Sequence, residues 1–336
     1  MKRHLSWLIT GLSFFVVVEF SFIPIPLSGQ VIKSTEGNVI STFSIVAYDS
    51  STGEFGVAVA SRFFSVGSVV PWAKAGVGAV ATQSFANTSF GWRGLAYLEQ
   101  GKSSEEALQA LLKNDDNPSQ RQVGIVSTTG HGVSYTGENC IAWAGGRSGS
   151  GYAIQGNILA GEGVVIAMEE NFLNSSGTLA RKIYTALVAG NEAGGDSRGK
   201  QSAAILLVKD GAGYGGYTDR AIDIRVDDNV EPFKELGRLL DIGEMNYAWN
   251  EGWTAFMQDR PKAALPSMER AIKLAPDMPE LWYDHAVINL AAGSPEKAIH
   301  ALDTCLKLNP KLKIQAQKDS DLDGLRGNSE FEKLVK

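Results

Sequence analysis

Between Phe43 and about Val226, short apolar runs alternate with segments of helical spacing. The runs FSIVAYD (43–49), FGVAVAS (55–61), VGAVATQ (77–83), QVGIVST (122–128) and AAILLVK (203–209) are rich in β-branched or small residues, and they predict strands. Segments 89–101, 103–114, 162–173 and 177–190 place apolar residues three and four apart and predict helices. In the second of these Ser104 is placed to cap, with Leu108, Leu111 and Leu112 on one face; in the fourth, Gly190 suits a C-terminal stop. The order is strands, two helices, strands, two helices, strands. Paired helices between groups of strands favour two sheets covered by helices, an α+β fold, over a doubly wound parallel sheet.

After DDNVEPFKELGRLLDIGE (227–244) the pattern becomes purely helical and repeats. A shift of about 34 residues sets Gly252 on Ala286, Ala264 on Ala298, Met268 on Leu302, Ala271 on Cys305 and Pro276 on Pro310. Small residues at these places let two helices approach closely, and a proline ends each unit. The period resembles tetratricopeptide repeats, which implies an all-α module over 231–336 that holds a protein or peptide partner. Two repeats need capping helices, expected near 232–243 and 328–335. Cys305 then fills a small-residue slot and is a packing residue.

The first 29 residues have a basic start, an apolar stretch from Leu5 to Val18, and then prolines and small residues. This is the layout of an export signal. Glu19 interrupts the run short of the ~20 apolar residues that span a bilayer, and an uncleaved anchor is the competing reading. The mature protein is expected in the periplasm or outside the cell. Segment 30–41 then stands as a linker or pro-segment before a domain spanning 42–230.

Composition narrows the function classes. A net charge of −6 without basic clusters argues against nucleic acid. The 37 glycines crowd into residues 50–216, as expected of a sheet-rich domain with tight turns. Cys140 and Cys305 are the two cysteines, and neither has a CxxC neighbour, so neither a disulfide framework nor a zinc site is expected. Cys140 and Trp143 are expected in the sheet core. RVDDN (225–229) puts adjacent aspartates on a strand, pointing apart, without the loop spacing of a calcium site, and no metal or cofactor is predicted. AWAGGRSGSG (142–151) lacks the phosphate-loop pattern, although it and QGN (155–157) are candidates to line a cleft.

Histidine is scarce: of four, His4 lies in the signal segment, His285 and His300 in the repeats, and His131 in a glycine turn. A serine–histidine triad therefore has little to draw on. Thr42, at the front of the first strand, offers another route. A free α-amine on Thr42, with an ordinary pKa near ~8, would take the proton of its own hydroxyl. The plain alternative is that Thr42 is a good strand residue.

TFSIVAYD with GEFGVAVASRFFSVGSVVPWAKAGVGAVATQ, then QGN, AGGDSRGKQSAA (193–204) and RVDD (225–228), resembles the domain of unknown function 1028 family, which is assigned to the N-terminal-nucleophile hydrolase superfamily. The resemblance implies a four-layer αββα sandwich. It also implies hydrolysis of amide bonds, in a small amide or peptide substrate, by a residue exposed at the start of the first strand. Thr42 occupies that place, and a cut between Ser41 and Thr42 would be required to expose it.

Further polar residues are candidates to position a substrate. Arg62 follows the second strand and is suited to hold a substrate carboxylate or to orient the nucleophile, or to a strand-end surface role. Thr82 and Gln83 close a strand and Asn87 follows in the loop, where their short polar groups would bind an amide or satisfy turn backbone. Asp196 and Arg198, in GGDSRG, would clamp a substrate or pair with each other to fix the loop. A second class of reading stands beside the hydrolase: a catalytically silent envelope scaffold or ligand-binding platform working through its repeats. A homo-oligomer is compatible with either.

Overall fold

The computed structural model describes residues 42–336; the expected export signal, segment 30–41 and Ser41 itself lie outside the described residues. β1 (Thr42–Asp49) and β2 (Glu54–Ser61) form a hairpin in register from Thr42 opposite Ser61 to Asp49 opposite Glu54. Gly53 takes φ 75° in the connecting turn, a left-handed conformation that glycine adopts without a Cβ penalty. β3 (Pro71–Lys74) and β4 (Gly78–Ser84) lead into α1 (Ser89–Glu99) and α2 (Ser104–Lys113). β5 (Arg121–Ser127), β6 (Gly132–Thr136), β7 (Gly145–Gly149) and β8 (Tyr152–Asn157) come next, then α3 (Gly163–Asn174) and α4 (Leu179–Glu192), and finally β9 (Ser202–Val208) and β10 (Arg220–Val226).

The strands make two antiparallel sheets, ordered β10-β9-β2-β1-β8-β7 and β3-β4-β5-β6. The side-chain period of two sorts each central strand onto two faces. Phe43, Ile45, Ala58, Ala60, Ile154 and Ile205 point out of the larger sheet and pack beneath α3 and α4 with Met168, Ile183 and Leu187. Val80, Val123 and Ile125 point out of the smaller sheet against Phe90, Leu95, Leu108 and Leu111 of α1 and α2. Val46, Val57, Val59, Ala79, Ala81 and Val126 close the space between the sheets. This is the four-layer αββα sandwich that the resemblance implied.

Local features differ from expectation in a few places. Ser103, and not Ser104, caps α2: its hydroxyl accepts from Glu106 N while the Glu106 carboxylate accepts from Ser103 N, a capping box that holds both first-turn amides. Ser104 instead donates to His131 O at 2.8 Å. Gly190 does not stop α4 but lies inside it, where a Cβ would fall 2.7 Å from Met168 Cγ; its role is close packing, and the chain turns at Gly194 and Gly195 with φ 116° and 53°. Cys140 is a half-buried loop residue between β6 and β7 and not part of a sheet core, because the amides of 137 and 139 turn back to Arg121 O and Ser119 O. Trp143, in the same loop, packs against the main core from its edge. Asp227 and Asp228 follow β10 in a loop, where they accept from Ser65 Oγ at 2.7 Å and Gln201 Nε2 at 3.1 Å.

Beyond the sheets the described chain is helical: α5 (Pro232–Met257), α6 (Pro261–Leu274), α7 (Pro279–Ala291), α8 (Pro295–Leu308), α9 (Lys313–Lys318) and α10 (Ser329–Val335). Each of the first four opens on proline, whose missing N–H is an orphan at that position anyway. Ala264, Met268 and Ala271 are buried between α5 and its neighbours, and Ala286, Ala298, Leu302 and Cys305 between α7 and α8. The short cap expected near 232–243 is the first half of α5, a single 26-residue helix that carries straight on into the first repeat. α5 is also tied to the sandwich: Tyr184 Oη donates to Phe233 O at 3.1 Å, Arg181 pairs with Asp241 at 2.8 Å and with Glu244, and Tyr247 Oη donates to Glu54 Oε1 at 3.0 Å. No helix among the described residues is long and apolar enough to cross a membrane.

Candidate active site

The space between the sheets is apolar at one end and polar at the other. On the larger sheet, Ser202, Ser61, Thr42 and Asn157 stand in one row across β9, β2, β1 and β8. On the smaller sheet, Gln83, Gln122 and Thr136 stand in one row across β4, β5 and β6. Ser44 and Gln155 form a second row behind the first. All but Thr136 are fully or almost fully buried.

Burying so many polar groups is costly unless each finds partners. The glutamines supply most of them. Gln83 Nε2 lies within hydrogen-bond reach of Thr42 O (3.1 Å), Gln122 Oε1 (2.9 Å) and Gln155 O (3.3 Å), and Gln83 Oε1 accepts from Ser44 Oγ at 2.6 Å. Gln122 Nε2 reaches Gly156 O at 2.7 Å and Thr136 Oγ1 at 2.9 Å, while its oxygen accepts from Asn157 Nδ2 at 3.0 Å. Gln155 Nε2 donates to Ser44 Oγ at 2.6 Å. The network crosses from one sheet to the other and holds the front of β1 at its centre. Thr42 itself is fully buried, and its hydroxyl donates to Ser61 Oγ at 3.3 Å.

Immediately beside Ser61 the chain enters a second cluster. Asp196 Oδ2 accepts from Arg62 N at 2.8 Å, and Oδ1 accepts from Arg198 N at 2.9 Å. The Arg198 guanidinium pairs with the same carboxylate at 3.1 Å. Arg62 Nη1 donates back to Arg198 O at 2.8 Å. Asp196 therefore locks loop 193–200 onto the end of β2, while Arg62 itself is exposed at the rim. A cavity of about 230 Å³ opens here, lined by Phe43, Ser61, Asn191, Asp196, Lys200 and Phe233.

Thr42 and Gln83 thus meet in the seam, and Arg62, Asp196 and Arg198 meet at its rim, joined to it through Ser61. Thr82 and Asn87 lie elsewhere. Thr82 points out of β4 toward the α1–α2 layer and donates to Asn87 O at 3.2 Å. The Asn87 side chain accepts from Ser89 N at 3.1 Å and donates to Asp115 Oδ2 at 2.7 Å, so it organises the entry to α1. Ser44, Gln122 and Ser202 complete the seam without having been candidates, and Gln155 and Asn157 join it from QGN, the stretch expected to line a cleft. Their signal was a polar side chain at the inward position of an otherwise apolar strand. Two residues with positive φ that are not glycine, Ser84 (67°) and Ile158 (53°), directly follow Gln83 and Asn157. Such conformations cost about 1–2 kcal/mol each and tend to be retained near functional sites.

Residues 42–236, more than half of the chain, match the "Family of unknown function (DUF1028)", and the chain belongs to that family. Residues 255–318 match the tetratricopeptide repeat. Among solved structures the chain is similar to a Silicibacter pomeroyi protein assigned to the same family. The two are 27% identical, with a TM-score of 0.55, over 60% of this chain and 88% of that one. No curated protein matches.

Proposed function

We propose that the sandwich is an amide-bond hydrolase of N-terminal-nucleophile type in an exported protein. In this reading residues 1–29 direct export, 30–41 are a pro-segment, 42–230 are the hydrolase domain and 231–336 recruit a protein or peptide partner. One observation carries it: Thr42 opens a central strand inside a polar seam, and among the described residues its hydroxyl bonds only to Ser61. Among the described residues no imidazole, amine or carboxylate is hydrogen-bonded to that hydroxyl. A base supplied by Thr42 itself fits that surrounding.

Cutting Ser41–Thr42 would free the α-amine. The amine takes the hydroxyl proton as Oγ1 bonds to the substrate's amide carbon. The C–N bond then breaks, with the ammonium returning its proton to the leaving nitrogen. Water, deprotonated by the same amine, releases the acid from the Thr42 ester. Ser61 and Asn157 flank Thr42 on the neighbouring strands, and in this mechanism they donate to the developing oxyanion. Arg62, exposed at the rim beside the cavity, suits a carboxylate on the substrate. On this mechanism an acylating β-lactone labels the processed protein, Thr42→Ser keeps the label and Thr42→Ala loses it. Undiminished labelling of Thr42→Ala would put the nucleophile elsewhere.

A silent platform is the second reading, and the glutamine network favours it. Gln83, Gln122 and Gln155 spend their donors inside the seam, as a structural core would. In that case the repeats alone carry the function.

A further inference from the structure

A larger cavity, of about 480 Å³, lies far from Thr42 in the chain's architecture, where α5 and α7 meet the loop between β9 and β10. Tyr214, Tyr247, Trp249, Trp253, Arg220 and Asp284 line it. Its walls are pinned. Asn250 Nδ2 reaches Ala212 O at 3.2 Å and Gly213 O at 2.9 Å, and Asn250 Oδ1 accepts from Gly215 N at 3.0 Å, clamping the loop to α5. Tyr247 Oη is held by Glu54, and the Trp249 indole N–H donates to Asp284 Oδ2 at 2.7 Å. With Tyr247 and Trp249 already held, these walls lose little freedom on binding.

The charges around the cavity are unequally matched. Arg220 is already paired with Asp223 at 2.7 Å. On α5, Glu251 is answered by Arg270 and by Lys209 at 3.4 Å. Asp284 has no cation within ion-pair distance among the described residues; its one hydrogen bond comes from Trp249. Glu280 on its own helix and Asp319 beyond α9 add to the negative field, and burial keeps the adjacent His285 below its ordinary range. Four aromatic rings and one carboxylate without a counter-ion make a surrounding that attracts a positive charge through ring faces as well as through the carboxylate.

We propose that this cavity binds a small organic cation, an alkylated ammonium group set against the indole and phenol rings with Asp284 as its counter-charge. Part of the acceptor set that a primary ammonium would use to replace its water is already engaged, the Asn250 oxygen by Gly215 and one Asp284 oxygen by Trp249, which favours an alkylated group. Burial, opposed by the Trp249 hydrogen bond and helped by Glu280 and Asp319, pushes the Asp284 carboxyl up to about 6. Binding should therefore weaken by roughly tenfold between pH 7.5 and pH 5, as the carboxyl takes a proton in the empty site.

The test is titration of the full chain with choline, with its neutral isostere 3,3-dimethylbutan-1-ol and with ethanolamine, followed by tryptophan fluorescence and calorimetry. Choline is expected to bind at least ~10-fold more tightly than either, a preference worth about 1.4 kcal/mol. Asp284→Asn should abolish the preference over the neutral alcohol. Tyr214→Ala, a change at an 89% exposed loop residue that leaves the fold intact, should weaken choline several-fold. Equal binding of choline and the alcohol would overturn the proposal, as would tighter binding of ethanolamine. So would an unchanged preference in Asp284→Asn, or no response to choline at about 10 mM. Each of these readouts is independent of whether Thr42 is ever exposed.

Discussion

The side-chain amide of Gln83, on the smaller sheet, donates to the backbone carbonyl of Thr42, on the larger one, at 3.1 Å. Its oxygen simultaneously accepts from Ser44, so a single residue bridges the sheets at the front of β1. Gln83→Leu keeps the volume but removes the acceptor of the Ser44 hydroxyl and a donor to the Thr42 carbonyl, while the Gln122 oxygen keeps Asn157 and the Ser44 oxygen keeps Gln155. A buried group that loses its partner costs about 1–3 kcal/mol, and the variant should lose about 2–4 kcal/mol in all. A thermal melt should show a fall on the order of 10 °C. A shift within 2 °C or so would mean that water takes over these bonds.

Gly124 should be sensitive and Gly163 indifferent. A Cβ on Gly124 would fall 2.1 Å from Gln155 Oε1, in a network that leaves Gln155 nowhere to go. Gly124→Ala should destabilise by about 1–3 kcal/mol. Gly163 opens α3 with nothing within 4 Å of the added atom, so Gly163→Ala should gain up to ~1 kcal/mol. Chemical denaturation of the two variants checks the contrast.

Asp284 should make stability pH-dependent in an uncommon sense for a carboxylate. Burial raises its folded value to about 6, from an ordinary value of 3.8. The folded protein therefore holds the proton more tightly, and the group's contribution is greatest at low pH and is lost as pH rises through 6. Asp284→Asn should be more stable than the parent at pH 7.5 by on the order of 2 kcal/mol, and equal to it near pH 4. Melting curves at both pH values test this; a difference independent of pH would contradict it.

How much of this was legible in the sequence follows from where each strand sits. The runs read as strands became β1, β2, β4, β5 and β9, all interior to their sheets. β3, β6, β7 and β10 are the four sheet edges, and an edge strand with one face in water has no continuous apolar run to announce it: RAIDIRV alternates charge with aliphatic, and GGRSG has almost no apolar content. β8 is interior but was obscured by Gln155 and Asn157, which point into the seam. The same cause hid most of the candidate site. Thr42 and Gln83 were visible as single polar residues, but their meeting depends on sheet-on-sheet pairing, which sequence spacing does not encode. Asp196 and Arg198 were visible as a pair, and the loop's attachment to Arg62 N was not. The repeats were the most legible part, because each contact there is local and recurs with a fixed period.

The two thiols should differ in reactivity. Cys305 is fully buried between α7 and α8, and burial together with Glu280 and Asp284 pushes its thiol up to about 12. Cys140 is half-buried and raised by burial, with hydrogen bonds partly opposing the shift. A maleimide at pH 7.5 should label Cys140 slowly and leave Cys305 untouched until the chain is unfolded. Equal labelling of both in the native protein would show that the α7–α8 interface opens readily.

If the amine of Thr42 is the base, hydrolysis should rise with pH and level off near the ordinary α-amine value of about 8. That in turn requires the Ser41–Thr42 bond to be cut. Intact mass and N-terminal sequencing of the protein recovered after export test this most directly. A chain that begins at Thr42 is expected. A chain that begins at Gln30, with no shorter species under any condition, would contradict the hydrolase and leave the platform.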